Sequence, residues 1–183
     1  VKVITPFTEE KSGFYFVPAI NSRVLCGFEG GDVEKPYCFG AMFDKVHAPD
    51  TAWTGSGDAR VYAIRTVSGQ TIEFHDKSGS EKITIYDTGK KNEITLDTAK
   101  GEITIKATEK LSIEAKEIEI KSQMGMKIEA GQTLEQKGME IKNEAQSNIQ
   151  ITANASFKAE GSASAEVSSS GIMTVKGSMV MIN

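Results

Sequence analysis

The stretch EKITIYDTGKKNEITLDTAKGEITIKATEKLSIEAKEIEIKSQMGMKIEA, residues 81–130, decides the fold. Its apolar residues come in doublets around one polar residue: Ile83/Ile85, Ile94/Leu96, Ile103/Ile105, Leu111/Ile113, Ile118/Ile120 and Met126/Ile128. A strand alternates its side chains between two faces, so each triplet puts two residues on one side and one on the other. A helical stripe would need spacings of three and four, and no capping signals frame Glu/Lys-rich segments such as LSIEAKEIEIKS. The doublet spacing starts near eleven and settles close to eight. After a less regular stretch (Leu134, Met139/Ile141), the series continues as Ile149/Ile151, Phe157/Ala159, Ala165/Val167 and Met173/Val175. A short fixed period of this kind predicts a β-helix over residues 81–183.

Eight residues per strand on a three-sided prism gives about 24 per turn, which suits either a single-chain solenoid or three intertwined chains. Each strand supplies only two inward apolar side chains, and beyond Ser156 these shrink to Ala163, Ala165 and Val167. A single coil would be thin and would need caps against edge pairing. Three chains wound together pair their strands laterally and bring their apolar ridges to one axis. The expectation is therefore an intertwined homotrimer whose four turns span roughly 60 Å. Residues 161–170 (GSASAEVSSS) have the composition of a flexible linker. The eight-residue phase nevertheless runs through Phe157, Ala165 and Met173, which predicts a narrow part of the shaft.

Upstream, VKVIT, GFYFV, SRVLCGF and KPYCFGAMF alternate like half-buried strands, and Gly30-Gly31-Asp32 suits a tight turn. Four short strands without a helix predict a small antiparallel barrel over residues 1–43. Residues 44–60 read as a loop. Within the connecting region 44–80, alternation resumes at VYAIRT and QTIEFHD, and it continues at KITIYD, with turns at Ser68-Gly69 and Ser78-Gly79. The fold class is thus all-β.

Composition narrows the chemistry. The only aromatic residue after Asp87 is Phe157, so the second half cannot build an aromatic-rich core. A net charge of −4 with interleaved Lys and Glu gives no footprint for nucleic acid. Cys26 and Cys38 lack CxxC spacing and an adjacent His; they read as reduced core thiols, with a cross-strand disulfide as the alternative. Signal-peptide and bilayer-spanning patterns are lacking. His47 sits in a loop, and His75 reads as a solvated strand residue rather than a catalytic base. Glu114, Glu117, Glu119 and Glu129 read as outward charges on the shaft. No nucleophile, base and pocket come together, and no HxH motif suggests a metal. The expectation is a protein that is not an enzyme, with no cofactor and no metal. A single-chain β-solenoid adhesin or carbohydrate-active β-helix is the alternative class.

Three segments resemble one family. In residues 14–43, Phe14, Phe16, Pro18, Val24, Leu25, Gly27, Phe28, Gly31, Asp32, Pro36 and Gly40 match the barrel pattern of the spike proteins of contractile injection machines. RTVSGQTIEFHDKSGSEKITIYD (65–87) is similar to that family's passage from barrel to shaft. GIMTVKGSMVMIN (171–183) resembles the tip of valine-glycine repeat protein G (VgrG), the type VI secretion spike, which is related to the puncturing protein of contractile phage tails. The resemblance implies a partial oligonucleotide/oligosaccharide-binding (OB) barrel followed by an intertwined triple-stranded β-helix needle. Set against the family pattern, the chain starts inside the barrel, and a fragment lacking the upstream hub and at least one barrel strand is expected.

By the same resemblance the partners are two further copies of the chain, a tail tube protein and hub on the N-terminal side, effectors, and a tip-capping protein with a proline-alanine-alanine-arginine (PAAR) repeat. Met179, Val180, Met181, Ile182 and Asn183 would form the apolar docking face for that cap. Assembly in the cytoplasm followed by ejection toward a target cell is expected, with the target membrane penetrated mechanically.

Overall fold

A computed structural model of the protein describes residues 1–54 and 60–182. Residues 55–59 of the connecting loop and the terminal Asn183 lie outside the described residues. The chain divides into two units, Val1–Glu119 and Ile120–Asn183. Apart from one turn of α-helix and one 3-10 turn, the regular elements among the described residues are strands, so the protein is all-β.

The first unit opens with β1 (Lys2–Val3), the short hairpin β2 (Thr8–Glu9) and β3 (Ser12–Gly13), then β4 (Val24–Phe28) and β5 (Pro36–Ala41). β4 and β5 are antiparallel, and Glu29–Gly31 between them forms the 3-10 turn, with Gly30 and Gly31 at φ 63° and 82°. β1 joins the far edge of β5 in parallel, pairing Val3 with Cys38. The sheet order is β1-β5-β4, so this region is a mixed sheet rather than the purely antiparallel one predicted. The long connection returns β1 to β5 instead of to its sequence neighbours. GFYFV does not form a strand beyond Gly13. Two of its rings instead cluster with Phe7, which lies edge-on to Phe14 at 5.4 Å, while Phe14 stacks near Phe16 at 6.1 Å.

Asp50 then starts the single helical turn α1 (Thr51–Thr54). Its carboxylate accepts from the Ala52 N–H at 2.9 Å, as an N-cap acid should. Five strands follow as an antiparallel meander: β6 (Val61–Arg65), β7 (Thr71–His75), β8 (Lys82–Tyr86), β9 (Glu93–Asp97) and β10 (Glu102–Lys106). Each reversal carries a residue at positive φ: Gly69, Gly79, Lys90 and Gly101. The Asp87 carboxylate holds the third turn by accepting from the N–H groups of Gly89, Lys91 and Asn92. The doublets Ile83/Ile85, Ile94/Leu96 and Ile103/Ile105 thus lie in one continuous sheet with the strands that precede them.

Beyond Gly101 no described residue has positive φ, and beyond Lys106 no described residue belongs to a strand. The doublets from Leu111 onward, read from sequence as strands, carry no ladder among the described residues. Hairpin reversal ends where the left-handed residues end. In the second unit the backbone bends at 123–124, 131–132, 139, 146–147, 154–155, 162–163, 170–171 and 178–179. The interval stays close to eight residues, including the stretch around Leu134 and Ile141 where the apolar pattern falters. It also runs in phase through residues 161–170.

Candidate assembly surface

The strand registers of the meander sort its side chains onto two faces. Tyr62 faces Phe74 and Ile64 faces Ile72; the rows continue through Ile83, Ile85, Ile94, Leu96, Ile103 and Ile105. One face is therefore wholly apolar. The other carries Ala63, Arg65, Thr71, Glu73, His75, Lys82, Thr84, Tyr86, Glu93 and Thr95. Burial is inverted relative to chemistry: Thr71, Glu73 and Thr84 are 2%, 7% and 5% exposed, whereas Ile103 and Ile105 are 71% and 56% exposed. Apolar surface gains most from leaving water, so the apolar face is the one built to be covered.

The polar face is closed by a hydrogen-bonded hub on Glu73. Trp53 Nε1 donates to Glu73 Oε1 at 2.8 Å, and Tyr86 OH donates to the same oxygen at 2.5 Å. His75 Nε2 lies 3.0 Å from Oε2, and Arg65 Nη2 donates to Oε1 at 3.3 Å. Arg65 also bonds Asp50 and Thr71 Oγ1, and stacks over the Trp53 ring at 4.4 Å. Burial pushes the Glu73 carboxyl upward, but the bonds from Tyr86, Trp53 and His75 outweigh it and hold it below the usual range. Burial and the carboxylate beside it push the Tyr86 phenol up.

The hub corrects the sequence reading of His75, which is half-buried and bonded rather than solvated. It was missed because Trp53, Arg65, Glu73 and Tyr86 are far apart in sequence. The available signal was TIEFH, where Glu73 and His75 alternate onto one face. His47 lies beside a carboxylate, with Nδ1 at 3.3 Å from Asp44 Oδ1. Among the described residues no group of three His, Cys, Asp or Glu is arranged to hold a metal ion, and no helix is long and apolar enough to cross a membrane.

In the segment beyond the sheet, every residue from Thr108 to Ile182 is exposed. The apolar members include Leu111, Ile113, Ile128, Ile151, Phe157 and Val175, at 56–69% exposure. Lys127 pairs with Glu129, Lys142 with Glu144 at 2.9 Å, and Lys158 with Glu160. Each pair is two residues apart, so it shares the side opposite an apolar doublet such as Met126/Ile128 or Phe157/Ala159. Exposed pairs of this kind add little stability. Of the residues read as a docking tip, Met179, Val180, Met181 and Ile182 are 78%, 50%, 82% and 90% exposed, and Asn183 is outside the described residues.

The chain exposes 17750 Å² in all, about twice the 8,600 Å² that a compact monomer of 19.8 kDa would expose. The excess, on the order of 9,000 Å², is many times the ~800 Å² that each partner gives to an ordinary interface.

Residues 1–43 match a family model described as the type VI secretion system/phage-baseplate injector OB domain. No curated protein matches the chain. The N-terminal region is thus similar to an injector domain, and a multi-protein injection machine is the setting to which that similarity points.

Proposed function

We propose that three copies of this chain intertwine into the puncturing needle of a contractile injection machine, in the manner of VgrG. One observation carries the reading. From Thr108 to Ile182 the chain has apolar doublets, interleaved Lys–Glu pairs and bends every eight residues or so, yet among the described residues this stretch has no strand partner. Backbone N–H and C=O groups that are to be buried must be paired, and an identical chain has the same period and the same alternation. The similarity of residues 1–43 to an injector OB domain supports the same machine.

In this reading the role is mechanical, with no catalytic step and no cofactor. The needle is assembled in the cytoplasm on a hub and tail tube at its N-terminal side, carries effectors, and is driven outward through the target membrane. Met179, Val180, Met181 and Ile182, with Asn183, form the apolar platform for a PAAR-repeat capping protein. Light scattering tests the oligomer directly. A solution mass of about three times 19.8 kDa is expected; a monomer would sink the proposal and favour a single-chain solenoid.

A further inference from the structure

We propose that Cys26 and Cys38 form a thiol–disulfide switch that closes by exchange with a small-molecule disulfide. They are the chain's two cysteines, and both are free thiols in the structure. They are also directly opposed partners across the antiparallel pair β4–β5. Opposed residues in such a pair stand about 4.5–5.5 Å apart at Cα, inside the roughly 4.4–6.8 Å that a disulfide spans. Their side chains share one face. The next pair, Gly27 and Tyr37, uses the other, where the Tyr37 ring lies against Gly27.

The register shifts between Leu25 and Cys26, with Phe39 as the extra residue of β5. Such a bulge bends and twists its strand locally, next to where the new bond would form. The two thiols differ in access. Cys26 is exposed, whereas Cys38 is 4% exposed and its Sγ lies 3.9 Å from the Gly40 carbonyl. That difference assigns the roles.

The Cys26 thiolate attacks one sulfur of a disulfide such as oxidised glutathione, forming a mixed disulfide and releasing one glutathione thiolate. Cys38 loses its proton to solvent and attacks the Cys26 sulfur, releasing the second glutathione. Two protein thiols are oxidised to one disulfide, and the small-molecule disulfide is reduced to two thiols. The closed form staples β4 to β5, the strand that also holds β1. The switch does not depend on the needle reading.

The full chain is equilibrated in buffers poised with reduced and oxidised glutathione, then alkylated and digested with a protease that cuts after Glu29 and Glu34, between the cysteines. The expected result is that both thiols disappear together and that the peptides bearing Cys26 and Cys38 stay joined until reduced. The thermal midpoint should rise by several degrees on oxidation. Cys38→Ser should stop at a glutathione adduct on Cys26, and Cys26→Ser should leave Cys38 unmodified, with circular dichroism reporting that both variants keep their β structure. Persistent glutathione on Cys26 of the unaltered chain, Cys26-to-Cys26 linkage between chains, or no oxidation at all would each overturn the switch.

Discussion

Trp53 reaches across twenty residues of sequence to donate its indole N–H to Glu73 at 2.8 Å, fastening the α1 turn to the polar side of the meander. Replacing Glu73 by Ala leaves Trp53, Tyr86 and Arg65 without their shared acceptor. Bonds to a charged acceptor contribute roughly 1.5–3 kcal/mol each, not additively. A loss of about 2–3 kcal/mol is expected for Glu73→Ala and about 1 kcal/mol for Trp53→Phe, read from circular-dichroism melts.

The same hub sets an acid limit. Glu73 is held below its ordinary value of 4.5, so the unfolded chain binds the proton more readily. Its contribution is therefore complete above that value and is lost as pH falls through the lower folded value. Trp53, the single tryptophan, should report this as a fluorescence change below about pH 4.5. Glu73→Gln should lack that component. Asp44, Asp50, Asp87 and Asp97 are lowered too, so the remaining acid loss should persist in the variant.

How much of this could be read from the residues varies with range. The strands between Val61 and Lys106, and the turns at Ser68-Gly69 and Ser78-Gly79, follow from local alternation and turn chemistry. The parallel placement of β1 and the convergence on Glu73 depend on register between distant segments, which alternation alone does not encode. The doublets after Leu111 show their apolar side in the sequence, and these residues remain exposed in the structure; on the trimer reading, alternation within one chain does not encode what covers that side.

Two hairpin glycines should separate backbone strain from steric crowding. Gly69 and Gly79 both have positive φ, but a Cβ at Gly69 would lie 2.5 Å from Thr88 Oγ1, while at Gly79 it would meet open space. Gly79→Ala should cost about 1 kcal/mol. Gly69→Ala should cost about 1 kcal/mol more, because Thr88 must give up its bond to the Ser68 carbonyl. A denaturant titration that ranks them the other way would contradict the geometry.

On the trimer reading, Ile128→Glu places a charge on the common axis and should convert the light-scattering mass to monomer or to aggregate. Glu129→Gln, which alters only the solvent-side pair with Lys127, should leave the mass unchanged.

Removing residues 179–183 should abolish binding of a PAAR-repeat protein, measured by calorimetry, while the mass of the assembly stays the same. Retained binding would move the docking surface elsewhere on the chain.

On the needle reading, the bends that recur at intervals near eight residues make length a quantised property. If each interval is one face of a three-chain prism, deleting eight residues shortens the shaft by one strand layer, about 4.8 Å, and leaves every remaining side chain on its own side. Deleting an odd number exchanges inside for outside from the cut onward. Reach could then be adjusted by whole steps without redesigning the core, much as a ladder is shortened by the rung.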